Sequence, residues 1–164
     1  MHTQVGIIMG SRLQWTTMQH TAKLLAHLGI AYEARIITAN KNINRLHEYA
    51  GNAIDRGLEI IIAGSAGAAY LPGILASKTE IPVLGVPMTT NSAKHKKSYD
   101  FDPRNYIDNQ VSMLTTGPGG AVNAALFAAS MLANKYPRIR ENLMKYRSQN
   151  ECGDTAQENS RYTA

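Results

Sequence analysis

The chain reads Gly57-Leu-Glu-Ile-Ile-Ile-Ala-Gly-Ser-Ala-Gly-Ala-Ala-Tyr-Leu-Pro-Gly73 and then Ile81-Pro-Val-Leu-Gly-Val-Pro87, and this stretch decides the fold. The apolar run 58–63 reads as a buried strand. It gives way to Gly64-Ser65-Ala66-Gly67-Ala68-Ala69, where side chains are almost absent. Small residues let a ligand or another backbone come close to the main chain. N–H groups exposed in such a turn, beside a helix start, suit an anionic or planar polar ligand. Tight strand-to-helix packing would use the same residues, so the loop alone leaves both uses open.

Working outward, five strand-like runs alternate with helix-like ones. Strands are predicted at 4–9, 32–37, 59–63, 83–86 and 111–114, and helices at 14–28, 43–56, 71–77 and 121–134. Near-continuous apolar strands separated by helices imply a parallel sheet covered on both faces. The fold class is therefore α/β: a three-layer, doubly wound, flavodoxin-like domain. Residues 88–110 are polar and show little periodicity. A last helix is expected at 138–148, after the stop signal at Pro137. One domain is expected over 1–148, followed by a polar tail, 149–164, read as disordered.

Ligands of open parallel sheets bind beyond the carboxyl ends of the strands. Those ends carry Gly10-Ser11-Arg12, Thr38-Ala39-Asn40-Lys41, Ser65-Ala66-Gly67, Pro87-Met88-Thr89-Thr90 and Thr115-Thr116-Gly117-Pro118-Gly119-Gly120. They are small or hydroxylated, and two bear a cation. Such a rim suits a phosphorylated or carboxylated small molecule. Ser11 can cap the first helix, contact a phosphate, or do both. Lys41 can set a point charge on an anion. Trp15 is expected to pack under the first helix. His20, His27 and His47 lie in helical segments without metal-ligand spacing, so no metal site is expected.

The chain has 164 residues and a formal net charge of +5. That length fits one core. A basic balance permits phosphometabolite or nucleic-acid binding. The one dense basic run, Lys94-His-Lys-Lys97, lacks the alternating aromatics of a single-strand platform and reads as a solvated loop. No nucleic-acid partner is expected. No apolar run approaches the roughly 20 residues of a membrane span, and Met1-His-Thr-Gln does not read as a signal peptide. The single cysteine, Cys152, permits no internal disulfide, which fits an expected cytoplasmic location.

The wording of these segments closely resembles the PurE family, the carboxyaminoimidazole ribonucleotide mutases and aminoimidazole ribonucleotide carboxylases of purine synthesis. Further matches are Val5-Gly-Ile-Ile-Met-Gly-Ser11, Trp15 with Thr17-Met18, Tyr49-Ala50 and Gly120-Ala-Val-Asn-Ala-Ala-Leu126. They follow the family's order over about residues 4–135. The resemblance implies no metal or organic cofactor, a homo-octamer, and a long C-terminal helix between subunits. The alanine-rich segment 121–134 could serve that contact or pack within one chain.

Against the family pattern, the chemistry is rewritten. The family's Gly-Ser-x-Ser-Asp-Trp motif, which holds phosphate and ribose, is Gly10-Ser-Arg-Leu-Gln-Trp15 here. Ser11 remains, whereas Leu13 and Gln14 replace the second serine and the aspartate. The family's Ser-Ala-His-Arg motif carries the acid/base histidine and a phosphate-binding arginine. It reads Thr38-Ala-Asn-Lys41 here. Asn40 cannot move a proton near neutral pH, and Lys41 keeps a charge without the planar fork. Tyr70 stands where the histidine after the glycine-rich loop is expected. A phenol near pKa 10 is a poor base unless its surroundings shift it.

The expectation is a PurE-like enzyme turned to a different small anionic or heterocyclic substrate, still using carboxylation, decarboxylation or group migration. Tyr70 and Asn40 are the candidate catalytic pair. Gly10, Ser11, Gln14, Thr38, Lys41, Ser65, Ala66, Gly67 and Leu71 are the candidate binding residues. One alternative is a non-catalytic ligand-binding or scaffold oligomer. Another is a true purine enzyme with relocated acid/base groups, for which His95 is the available histidine.

Overall fold

A computed structural model describes residues 2–38, 41–65, 71–88 and 111–158; side chains are described in these segments except at Ser65 and at 151–158. The strands are β1 (Val5–Met9), β2 (Tyr32–Ile36), β3 (Ile60–Ser65), β4 (Val83–Pro87) and β5 (Val111–Met113). The helices are α1 (Trp15–His27), α2 (Ile43–Gly51), α3 (Leu71–Ala76), α4 (Gly117–Leu132) and α5 (Pro137–Glu158). All strand pairs are parallel, in the order β2-β1-β3-β4-β5. This is the doubly wound, flavodoxin-like arrangement that the alternation predicts.

The strands alternate their apolar side chains between two cores, as the period of two demands. Val5, Ile7, Met9, Ile60, Ile62, Leu84 and Val86 face one core, which Met18 and Leu25 of α1 and the alanines of α4 complete. Ile8, Ile61, Ala63 and Val83 face the other, under Leu46 and Tyr49 of α2 and Leu75 of α3. Ala121, Ala124, Ala125, Ala128 and Ala129 are fully buried within the single chain. Their small side chains let α4 approach α1, where the Thr21 hydroxyl donates to the Ala121 carbonyl at 2.7 Å. The alanine face thus packs inside the subunit, while Phe127 on the same helix remains 44% exposed.

The ends of several elements depart from expectation. A short 3-10 turn, Arg12–Gln14, precedes α1. Ser11 sits at its N-cap position in extended conformation, yet its side chain makes no capping bond. Helix α2 stops at Gly51, and turns carry the chain to Gly57, whose φ of 81° favours glycine. Helix α4 starts at Gly117, because Pro118 in the first turn lacks only an N–H that has no helical partner there. Helix is assigned to Glu158, through the first part of the segment expected to be a disordered tail; no proline follows Pro137 to stop it. Trp15 does not pack beneath α1; at the helix's first position it is 40% exposed.

Candidate functional site

The order of the sheet puts β1 between β2 and β3, so the connections leave β1 in opposite directions. In open parallel sheets this reversal point is where a ligand crevice forms, beyond the carboxyl ends of the strands. Gly10 follows β1, Thr38 follows β2, Gly64 and Ser65 end β3, and Met88 follows β4.

Gln14 organises the crevice. Its side chain folds back so that Oε1 accepts the Gly10 N–H at 2.8 Å, and the residue retains only 9% of its exposure. The Gly10 carbonyl accepts the Thr38 hydroxyl at 2.9 Å. Both backbone groups of Gly10 are therefore held by side chains from the 3-10 turn and from the end of β2. Gly64 lies beneath them. A Cβ at Gly64 would come within 2.9 Å of Met88 Cε and 3.1 Å of Gln14 Oε1. Only glycine leaves room for the glutamine at this point.

Thus Gly10, Gln14 and Thr38 come together as expected, joined by Gly64, Met88 and Met18. Gly64 is not among the candidate site residues that the sequence points to. Its signal was a glycine ending an apolar strand. Nothing in the sequence distinguishes Met88 from its neighbours at the end of β4.

The Ser11 hydroxyl is not committed to the helix cap, which leaves it available to a ligand. Lys41 is exposed, and its N–H bonds back to the Thr38 carbonyl at 3.1 Å. That turn places Lys41 directly after the crevice residue Thr38. The Leu71 side chain belongs to the core, at 3% exposure, so only its backbone could serve a ligand. Leu13, in the place of a family serine, is 85% exposed; its carbonyl accepts the Thr16 hydroxyl at 2.9 Å, but its apolar side chain offers no hydrogen bond. Asn40, Ala66, Gly67, Tyr70 and His95 lie outside the described residues, as does the Ser65 side chain. Among the described residues no group of three or more His, Cys, Asp or Glu could hold a metal ion. No described helix is long and apolar enough to cross a membrane.

A five-stranded parallel sheet in this order, flanked by helices, defines a flavodoxin-like α/β protein. Residues 4–152 match the family model described as AIR carboxylase, and the chain belongs to that family, the PurE family. It is 44% identical over 148 residues to the N5-carboxyaminoimidazole ribonucleotide mutase of Pseudomonas aeruginosa, spanning 90% of this chain and 91% of that one. It is 43% identical to the mutase of Pyrococcus abyssi, over 88% and 82% of the two chains. Among solved structures, Treponema denticola PurE superposes with a TM-score of 0.74 at 20% identity, covering 99% of this chain and 100% of that one.

Proposed function

We propose that this chain is a PurE-family enzyme whose crevice takes a small anionic or heterocyclic substrate other than the family's ribonucleotide. The chemistry remains carboxylation, decarboxylation or group migration. The observation that carries this reading is the folded-back Gln14. Where the family pattern has an aspartate for the ribose hydroxyls, this chain has a neutral amide whose oxygen already accepts the Gly10 N–H. Its oxygen is thus engaged within the protein and carries no formal charge toward a diol. The neighbouring Leu13, exposed and apolar, removes a second hydrogen-bonding group from the same motif.

In this reading Ser11 and Lys41 hold the anionic end of the substrate, and Asn40 orients it. Backbone N–H groups of Ser65 to Gly67 stabilise developing negative charge. Tyr70 is the proton donor. Relatives bearing the mutase name at 43–44% identity support PurE-type chemistry in general and favour the alternative, a purine enzyme with relocated acid/base groups.

Complementation of a strain lacking the mutase separates the two. No growth is expected, and robust growth would overturn the redirected reading. For the true substrate, Tyr70→Phe is expected to lower turnover by roughly 10²–10⁴-fold, the usual share of general acid/base catalysis, with little change in affinity. Lys41→Ala is expected to weaken binding by about 1.5–3 kcal/mol, through loss of a charge-assisted hydrogen bond. Intact turnover in Tyr70→Phe would remove the catalytic proposal at its central residue. Tight binding without turnover would favour the ligand-binding alternative.

A further inference from the structure

A second cleft, sharing no residue with the crevice, lies where α2 crosses the outer edge of the sheet. It measures about 210 Å³ and is lined by Arg35, Arg45, Arg56, Glu48, Tyr49 and Asn52. Three guanidiniums in so small a space require an explanation, because like charges repel unless something holds them.

Glu33 supplies part of it. Its Oε2 accepts both Nε and Nη2 of Arg35, at 3.2 and 3.0 Å. Its Oε1 accepts the Tyr49 hydroxyl at 2.8 Å and Nη2 of Arg56. Arg56 also lies over the Tyr49 ring, 5.0 Å from its centroid. One carboxylate therefore fixes two arginines and leaves an excess positive charge. Burial acts to raise the Glu33 carboxyl, but hydrogen bonds from Arg35, Arg56 and Tyr49 outweigh it and hold it down at about 2. The carboxylate stays charged at neutral pH and keeps both forks in place.

A guanidinium has five N–H donors. Within this cluster Arg35 spends two and Arg56 one on Glu33. Arg45, exposed on the first turn of α2, forms no side-chain hydrogen bond or ion pair among the described residues. The Asn52 amide adds further donors on the same wall. Set against Glu33 and Glu48, the three arginines leave a formal charge of one positive unit with many unspent N–H groups. Fixed planar forks with spare donors suit the oxygens of a phosphoryl group. A volume of this size admits a phosphate or the phosphoryl group of a small metabolite.

We propose that the cleft formed by Arg35, Arg45 and Arg56 is an anion site for the phosphoryl group of a small metabolite, separate from the crevice. It does not rest on the substrate reading above. The test is calorimetric titration of the full chain with pyrophosphate at low salt. Saturable binding with a Kd on the order of 1 mM or tighter is expected. Arg45→Glu should weaken it by at least about tenfold, more than loss of a weak contact would. Because the exposed Arg45 side chain holds nothing else among the described residues, unchanged thermal unfolding of this variant is expected too. Ser11→Ala, which alters only the crevice, should leave the Arg45-dependent binding of pyrophosphate in place. Absence of saturation, wild-type affinity in Arg45→Glu, or loss of binding in Ser11→Ala would each overturn the site. The last would return the anion to the crevice and leave the substrate reading standing. An Arg45-dependent preference for a short RNA over pyrophosphate would also overturn it.

Discussion

At Gln14 the sequence shows a lost charge but not what the amide does instead. The substitution is visible by position, since the segment Gly10–Trp15 keeps its spacing against the family motif. The fold-back depends on the space above Gly64, a residue fifty positions later, and such a gap exists only after β1 and β3 pair. The same limit explains Ser11. A serine before a helix reads as a cap, whereas here a 3-10 turn intervenes and its hydroxyl makes no capping bond. A stability prediction follows from the Gln14 geometry. Gln14→Leu removes the acceptor from a partly buried Gly10 N–H and should cost about 1–3 kcal/mol, measured as a lower denaturant midpoint at unchanged slope. An unchanged midpoint would mean that water replaces the amide without cost, and that the lock contributes nothing to the crevice.

Elements were legible where apolar periodicity was strong. The strands β1, β3 and β4 lie within a residue or two of expectation because their apolar side chains face two cores at once. Strand β2 carries less of that signal: Tyr32-Glu-Ala-Arg-Ile36 is half-polar and lies on the edge, with Ile36 43% exposed. Its inward carboxylate is not legible as a buried network, since Tyr49 and Arg56 come from the far side of a helix. Gly6 has a part in the same arrangement, because a Cβ there would lie 2.3 Å from the Tyr49 hydroxyl. The Glu33 cluster makes folding depend on pH. Its carboxyl is held at about 2, below the ordinary 4.5, so the folded state binds the proton less readily than the unfolded chain. The stabilisation is complete above the unfolded value and is lost as pH falls from about 5 toward 2. Allowing for solvent screening, about 1–2 kcal/mol is expected from this group. Glu33→Gln should flatten that part of the acid limb in chemical denaturation at successive pH values. An identical acid limb in the variant would show that the cluster does not couple to folding.

For the whole molecule, the parallel topology followed from the order of apolar runs, and at the strand ends Gly10, Gln14 and Thr38 are joined by hydrogen bonds over Gly64. What covers that rim was not readable, because residues 88–110 carry no periodicity from which to argue. The outer surface offers a separate argument. Leu13 is 85% exposed and Trp15 40%, close together in sequence at the rim; Phe127 on α4 is 44% exposed and Met144 on α5 is 66% exposed. Single apolar residues at a surface are ordinary, but large ones on adjoining elements mark contact sites. The inner face of α4 is already spent on α1, so among the described residues nothing covers the exposed part of Phe127. We propose a homo-oligomer of 17.9 kDa chains, an octamer if it follows the pattern that the PurE resemblance implies. A stable interface needs roughly 800 Å² from each partner, more than any one of these side chains supplies, so several must share it. Light scattering at micromolar concentration should give the mass of the assembly. Phe127→Glu should shift it toward smaller species without unfolding the chain, since the substitution leaves the alanine face of α4 intact. A monomeric mass for the native chain would reject the assembly, and an unaltered mass in Phe127→Glu would move the contact away from α4.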